Sequence, residues 1–150
     1  MNNLIPFEEK YQPDFKSLNL EWLDKHGLTE QVDLDVLNEP VKNIIEPGGC
    51  IFLAVDNDKL VGTGGLAKGD DGVYELVKMT VHPAYRGQGI GKMILERCLR
   101  EARALKATKV SLFSNSKLVT ALSMYEKYGF KHVPVSDSYL VTADVKMELP

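Results

Sequence analysis

The middle of the chain changes its hydrophobic period within a few residues. Residues 74–81 alternate between apolar and polar types and are rich in β-forming side chains, which predicts a strand. Pro83 ends it, because proline has no N–H to donate to a strand ladder. After a glycine-rich segment, the apolar residues recur at helical spacing: Ile90, Met93, Ile94, Leu95, Cys98, Leu99, Ala102 and Leu105. The pattern therefore predicts a strand that passes through a glycine-rich turn directly into a long helix.

The first third of the chain is predicted to be mainly helical. A short strand over residues 3–9 is broken around 12–13, and apolar spacing then indicates a helix that stops at Gly27. A second helix is predicted over residues 33–45, where Pro40 splits or kinks it.

Two hairpins lead into the central strand. Strands over residues 50–55 and 60–67 flank a turn at 56–59, and a second turn at 68–72 follows. Three glycines in the second of these strands predict a close backbone approach or a bulge: Gly62, Gly64 and Gly65.

The last third is predicted to alternate again. A strand over residues 109–113 precedes a helix that carries apolar residues from 118 to 125 and ends at Gly129. The final strands are predicted over residues 130–135 and 139–149, with a turn at 136–138 between them. The order β-α-α-β-β-β-α-β-α-β-β favours an α+β domain with a twisted, partly antiparallel sheet flanked by helices.

Composition narrows the class of protein. A chain of 150 residues with 44% hydrophobic and 26% charged residues is expected to form one ordinary soluble domain, residues 1–150. Its net charge of −3 gives no electrostatic footprint for nucleic acid, and no apolar run or leader-like start indicates a membrane span or signal peptide. Cys50 and Cys98 fall in a predicted strand and helix rather than a metal-binding cluster. We therefore expect reduced thiols, no metal and a cytoplasmic location.

The glycine-rich turn has the properties of an anion site. Gly87, Gly89 and Gly91 remove Cβ atoms where the first N–H groups of the helix point outward. Those donors and the positive end of the helix dipole suit an anion such as pyrophosphate. Arg86 and Lys92 add positive charge beside them.

Two common phosphate-binding patterns do not fit these residues. A P-loop requires glycine and then serine or threonine where Arg86 and Met93 stand. A dinucleotide-binding turn that starts at Gly87 requires its third glycine where Lys92 stands. A nucleotide-binding protein is therefore disfavoured.

Two other motifs carry a family resemblance. The first is R-x-x-G-x-G, Arg86 to Gly91, and the second is A-L-S-M-Y-E-K-Y-G-F, Ala121 to Phe130. Together, in this order and spacing, they resemble the GCN5-related N-acetyltransferases (GNAT), which bind acetyl-coenzyme A (acetyl-CoA). The resemblance is close from about Cys50 onward and looser before it. It implies a three-layer α/β/α fold with a mixed, mostly antiparallel sheet of about seven strands and about four helices.

The resemblance also implies where the cofactor lies. In that family the fourth and fifth strands splay apart, and the pantetheine arm occupies the gap. A bulge near Met79 frees a backbone N–H for the thioester oxygen, and Val81 pairs with the pantetheine amides. Thr80 lies between them, and because these contacts are main-chain the side chains there are weakly constrained. The diphosphate contacts carry over to the turn: Arg86, Gly87, Gln88, Gly89, Ile90, Gly91 and Lys92. Asn115 is a further cofactor candidate, although many relatives place their asparagine where Leu118 stands here.

The catalytic residues implied by the resemblance are Tyr125 and Glu75. Tyr125 occupies the position of the tyrosine that protonates the leaving thiolate; the alternative is a core tyrosine. Glu75 falls where family members carry the base that deprotonates the amine, often through water; the alternative is a solvated strand residue or a partner of Lys78 or another cation. His82 lies at the wrong end of the strand for catalysis.

The first helix carries two more aromatic candidates. Trp22 and His26 lie beside the loop that in relatives shapes the acceptor pocket, where they either line the pocket or form a half-buried pair.

The resemblance implies an enzyme that transfers acetyl from acetyl-CoA to a primary amine by direct attack in a ternary complex. The acceptor is a small metabolite or a lysine or N-terminus of a protein. The alternative is a non-catalytic acyl-CoA sensor or interaction module on the same fold, which would need only the cradle from Arg86 to Gly91. Dimers are common in this family, so a homodimer is compatible with the resemblance.

Overall fold

A computed structural model of the protein describes residues 2–135 and 140–150. Within them, seven strands form one mixed sheet in the order β1-β2-β3-β4-β5-β7-β6. Neighbouring strands are antiparallel except β4 and β5, which are parallel. The strands are β1 (Asn2–Pro6), β2 (Cys50–Asp56), β3 (Lys59–Lys68), β4 (Val73–Val81), β5 (Lys109–Ser114), β6 (Lys131–Val133) and β7 (Val145–Leu149).

Helices cover both faces of this sheet. The described residues form four α-helices, α1 (Gln12–His26), α2 (Gln31–Asn38), α3 (Ile90–Ala104) and α4 (Val119–Lys127). Short 3-10 turns occupy Glu9–Tyr11 and Pro83–Tyr85, and a π-helical turn occupies Val41–Ile45. The predicted α+β, three-layer fold of about seven strands and four helices is confirmed.

Each face of the sheet has its own apolar core. On one face α1 and α2 contribute Phe15 and Leu37, which pack with Leu53 of β2. On the other face α3 and α4 contribute Ile94 and Leu122. Successive strand residues point to opposite faces, so one sheet separates two cores.

The helix boundaries of the first third differ slightly from the prediction. The first strand, predicted to reach residue 9, ends at Pro6. Gln12-Pro13, predicted to break that strand, open α1, because proline is tolerated in the first turn of a helix, where its missing N–H is not needed. Gly27 ends α1 in the left-handed conformation (φ 67°), as predicted. Pro40 does separate α2 from the π-helical turn.

The last strand was predicted to begin too early. β7 begins at Val145, and residues 140–144 form a loop, because their polar groups bond to other loops rather than to a strand ladder. The predicted turn at 136–138 and the predicted start at Tyr139 lie outside the described residues.

The glycines of β3 allow both the close approach and the bulge that the sequence predicts. A Cβ on Gly64 would lie 2.4 Å from the Ile94 side chain and 2.5 Å from the sulfur of Met79. The register between β3 and β4 shifts between Thr63 and Gly65. α3 therefore packs directly onto the backbone of β3, next to an irregular part of β4.

β4 and β5 pair only at their beginnings. The paired positions are Val73 with Lys109, Tyr74 with Val110 and Glu75 with Ser111. Beyond Glu75 the two parallel strands are no longer paired, as the resemblance implies. The sheet therefore has an opening between two strands that begin side by side.

Candidate active site

A cavity of about 370 Å³ occupies this opening and continues toward α1 and α2. Residues 75–79 of β4 form one wall, and residues 112–115 at the end of β5 form the opposite wall. Helix α4 contributes Tyr125, and the loop before β7 contributes Leu140 and Thr142. The cavity thus reaches from the divergence of the strands to the helices on the other side of β4.

A β-bulge at Lys78 shapes the β4 wall. Thr63 pairs with Thr80 and Gly65 with Val77, so β4 advances by three residues where β3 advances by two, and β4 carries one extra residue. Lys78 adopts a left-handed φ of 56°, and its carbonyl accepts a 2.6 Å hydrogen bond from the Thr63 hydroxyl. The bulge that the resemblance implies near Met79 is therefore present.

The β4 edge that faces the opening is a free edge. Among the described residues, no strand pairs with that edge between 76 and 81. An extended ligand with amide groups fits such an edge, because it can take the place of a missing strand. Met79, Thr80 and Val81 lie on it, and in the described part of the chain Thr80 Oγ1 is the one buried side-chain polar atom without a hydrogen-bond partner. Of the predicted pantetheine-binding segment, Met79 lines the cavity, whereas Thr80 and Val81 do not.

The glycine turn is open in front of α3. Gly87 and Gly89 both have φ 79°, and a Cβ at either position would meet nothing within 4 Å. Gly89 is the N-cap of α3 and makes no side-chain hydrogen bond to the first N–H groups of the helix. Ile90, the first helical residue, is buried in the core. The turn is therefore unobstructed at Gly87 and Gly89, and the first N–H groups of α3, which an α-helix leaves without intrahelical partners, come directly after it, with Arg86 and the exposed Lys92 nearby in sequence. This turn fits a diphosphate, although it does not line the cavity itself.

Tyr125 belongs to both the core and the cavity. Its side chain is 7% exposed and packs on Phe130, with ring centroids 5.8 Å apart. Burial, with a smaller contribution from Cys98, raises the pKa of Tyr125 well above its ordinary value. The hydroxyl therefore keeps its proton at neutral pH, which suits a donor role.

Glu75 lines the same cavity at the last paired position of β4. Ser111 lies opposite on β5, and Ala67 lies opposite on β3. The two predicted catalytic residues, Glu75 and Tyr125, are therefore brought to one cavity from a strand and from a helix 50 residues later in the chain.

Other residues considered from the sequence have different surroundings. His82 accepts a 3.1 Å hydrogen bond from the N–H of Ala84 and caps a 3-10 turn away from the cavity. Trp22 lines the cavity. The ring of His26 packs against the ring of Trp22, with the two ring centroids 4.7 Å apart. Burial raises the pKa of Cys98 to about 12, so this thiol is a core group and not a nucleophile.

An ion pair in the cavity wall could not be read from the sequence. Lys78 Nζ donates to Asp33 Oδ1 at 2.6 Å, and the side chains are only 12% and 8% exposed. The sequence suggests Lys78 as a partner of Glu75, but the structure pairs it with Asp33 of α2. The only local signal is that Asp33 sits three residues after the N-cap Glu30, whose N–H it accepts at 3.0 Å.

Glu30 is a second residue that sequence reasoning missed. Its carboxylate accepts bonds from the N–H groups of Val141 and Thr142, at 2.9 and 2.8 Å, and from the Thr142 hydroxyl at 2.6 Å. Desolvation raises the pKa of Glu30, but these hydrogen bonds outweigh it and hold the pKa below its ordinary value. The start of α2 is thereby tied to the loop that closes one end of the cavity.

Asn115 holds the same loop from the other side. Its amide donates to the carbonyl of Thr142 at 2.7 Å, and its side-chain oxygen accepts from the N–H of Lys117 at 3.0 Å. Asp144 accepts from both the N–H and the hydroxyl of Ser116. Asn115 thus makes protein contacts at the cavity, and its predicted cofactor contact stays a prediction.

A parallel strand pair that splays, a bulged free edge and a glycine turn at a helix start together define the acyl-CoA N-acyltransferase class of fold. The model of the acetyltransferase (GNAT) family matches residues 7–130, so the chain belongs to this family.

Relatives and solved structures agree with this assignment. An N-acetylaspartate synthetase of Xenopus tropicalis is 34% identical over 97 residues, which are 64% of this chain and 36% of that protein. The chain thus spans about a third of the length of this curated relative. A GNAT-family acetyltransferase from Staphylococcus aureus Mu50 superimposes with a TM-score of 0.88 at 24% identity, over 99% of this chain and 98% of the other. The PaiA N-acetyltransferase of Thermoplasma acidophilum, solved in complex with coenzyme A, gives a TM-score of 0.78 at 15% identity, over 99% and 98%.

Two further observations concern metal-binding clusters and membrane-spanning helices. Among the described residues, no three His, Cys, Asp or Glu side chains come together in a way that could hold a metal ion. In the same part of the chain, every helix is too short or too polar to span a bilayer.

Proposed function

We propose that the protein is an N-acetyltransferase that uses acetyl-CoA and acetylates a primary amine by direct attack in a ternary complex. One observation carries the proposal: the opening between β4 and β5 exposes a free backbone edge to a cavity lined by Glu75 and Tyr125. The family assignment and the coenzyme A bound to a structural neighbour support it.

Three parts of the chain would hold the cofactor. The N–H groups of the glycine turn would bind the diphosphate, with charge from Arg86 and Lys92. The free edge at Val81 would pair with the pantetheine amides, and the backbone N–H of Met79 would face the acyl oxygen. When bound, acetyl-CoA supplies a thioester carbon that an uncharged amine attacks.

Glu75 and Tyr125 would handle the protons of this transfer. A bond forms between the amine nitrogen and the acyl carbon, and the carbon–sulfur bond breaks. Glu75 accepts the amine proton, directly or through an ordered water, and Tyr125 donates its proton to the departing sulfur. Tyr125 would start the reaction protonated, as an unperturbed tyrosine also would near neutral pH.

Membership of the family supports the acetyltransferase activity more directly than it supports any one class of acceptor. Several relatives, among them that of Xenopus tropicalis, are named for N-acetylaspartate, which is an acetylated amino acid, but this chain spans about a third of the length of those proteins. The proposal therefore includes both a small amine and a lysine or N-terminus of a protein as acceptors. It also places the protein in the cytoplasm.

A screen of amines with acetyl-CoA tests the proposal. The assay measures the coenzyme A thiol released above the hydrolysis observed without acceptor, and mass spectrometry identifies the acetylated product. The proposal predicts amine-dependent release that Tyr125→Phe suppresses without loss of cofactor affinity. Tight acetyl-CoA binding with no release across free amino acids, diamines and peptides would instead indicate a sensor.

A further inference from the structure

The cavity contains a cation at an unusual position. Among its described lining residues, the acidic side chains are Asp33 and Glu75, and Lys78 is the one basic side chain. The rest of the lining is apolar or neutral. An amine enters such a site as an ammonium ion, which the acidic side chains attract, so a lysine in the same wall needs a separate explanation.

Lys78 is energetically unfavourable at this position in two respects. Its left-handed φ of 56° is strained for any residue with a Cβ, and glycine would satisfy the bulge more easily. Its ammonium group is largely withdrawn from water, which has a desolvation cost that one partner offsets only in part. A purely structural contact between β4 and α2 could be made by apolar side chains, so the charge itself calls for an explanation.

The bulge turns Lys78 toward the part of the cavity that α1 and α2 line. Val77 packs with the α1–α2 core, whereas Met79 packs with the core on the α3 side. A bulge lets two successive residues share a face, so Lys78 lies on the side of Val77, where Asp33 meets it. Glu75, two residues before Val77, projects to the same side by strand alternation.

The ion pair is itself held in place. One oxygen of Asp33 accepts from Lys78, and the other accepts from the N–H of Glu30. At the backbone, the Thr63 hydroxyl holds the Lys78 carbonyl, and the amide of Asn19 lies 3.2 Å from that hydroxyl. Lys78 Nζ is therefore held in one position, and an ammonium group has three hydrogens, of which Asp33 accepts one.

We propose that Lys78 binds a carboxylate carried by the acceptor, so that the protein acetylates amines with a nearby carboxylate, which are free amino acids. An acceptor of this kind places its anion at the hydrogens of Lys78 Nζ that Asp33 does not accept, and its amino group toward Glu75. Polyamines and the lysines or N-termini of proteins lack that anion. This inference rests on the proposed acetyltransferase function.

Pairs of acceptors that differ only in this charge test the inference. Each free amino acid is compared with its amide, and β-alanine with β-alaninamide. The wild-type protein is expected to show kcat/KM about tenfold or more in favour of the acid, on the scale of one charge-assisted hydrogen bond. The double variant Lys78→Gln/Asp33→Asn, which removes both charges and keeps hydrogen-bonding groups, should bring the ratio of acid to amide close to one. Lys78→Arg keeps the positive charge and changes the shape of the side chain, so it should retain the preference for the acid.

The comparison of ratios separates recognition from structure. A merely structural pair would lower the rates for acid and amide together and leave their ratio unchanged, which would overturn the inference. A wild-type protein that acetylates amides, polyamines or peptides as well as amino acids would also overturn it, without any variant. If no acceptor of any kind releases coenzyme A thiol, the proposed function fails first and this inference fails with it.

Discussion

The two halves of the proposed site are built in different ways. The proposed cofactor half consists of backbone: a free strand edge and a bulge in the cavity wall and, outside the cavity, the N–H groups at the start of α3. The proposed acceptor half depends on side chains that meet across long stretches of chain, such as Lys78 with Asp33, 45 residues apart, and Glu30 with Thr142, 112 apart. A main-chain site tolerates many side chains and can be shared by a family, whereas a side-chain site can differ in each member. The contrast explains why the family is evident from the sequence and the acceptor is not.

The glycine turn offers the largest expected effect on the cofactor half. Gly89→Asp forces a residue with a Cβ into φ 79° and places a negative charge where the diphosphate is proposed to bind. Affinity for acetyl-CoA, measured by calorimetry, should fall about a hundredfold or more.

Gly27→Asp is a matched control for this variant. Gly27 has φ 67° and, like Gly89, has nothing within 4 Å of an added Cβ, but it ends α1 far from the turn in sequence. It should share the backbone strain and keep the affinity. Equal affinity in Gly89→Asp and wild type would remove the turn from the site.

Tyr125→Phe tests the chemistry rather than the binding of the cofactor. The variant keeps the ring packed on Phe130 and removes the proton donor, so kcat should fall about a hundredfold while acetyl-CoA affinity stays within about twofold. Tyr128→Phe is the control, because its hydroxyl bonds to the surface carboxylate of Glu96. Similar kcat values for the two variants would make Tyr125 a core residue only.

Glu75→Gln probes the point where the strands diverge. If Glu75 accepts the amine proton, the variant should lose the limb of the pH–rate profile over which the rate rises with pH, and should be about tenfold or more slower near neutrality. Glu126→Gln, an exposed carboxylate on α4 that contacts His132, should keep the wild-type profile. A limb that persists in Glu75→Gln would assign proton removal to ordered water.

Glu30→Gln has the smallest expected effect and sharpens the comparison on the acceptor side. Glutamine cannot accept all three hydrogen bonds from residues 141–142, so KM for the acceptor should rise a few-fold with KM for acetyl-CoA unchanged. Glu39→Gln, at the other end of α2, is the control.

The pH dependence of stability checks the same contact. The pKa of Glu30 is lower in the folded protein than its ordinary value, so its contribution is complete at neutral pH and is lost as the pH falls through the folded value. The difference in unfolding free energy between wild type and Glu30→Gln should therefore shrink from about pH 7 to about pH 3. A difference that grows on acidification would contradict this assignment.

Much of the fold was predictable because its signals are local. The change of period between residues 74–81 and Ile90, together with Gly87 and Gly89, identifies the strand, turn and helix from short-range rules. The start of β7 was misplaced because residues 140–144 satisfy their backbone groups through Glu30 and Asn115, which lie far away in sequence. The pairing of Lys78 with Asp33 was missed for the same reason, since a strand pattern does not reveal which helix will pack against it.

A crystal structure with acetyl-CoA or coenzyme A tests the central claim most directly. The account predicts the diphosphate on the N–H groups of the turn from Gly87 to Gly91, the pantetheine along the free edge at Met79–Val81, and the sulfur within reach of the Tyr125 hydroxyl. A diphosphate bound elsewhere, or β4 and β5 paired along their whole length with no opening between them, would contradict it.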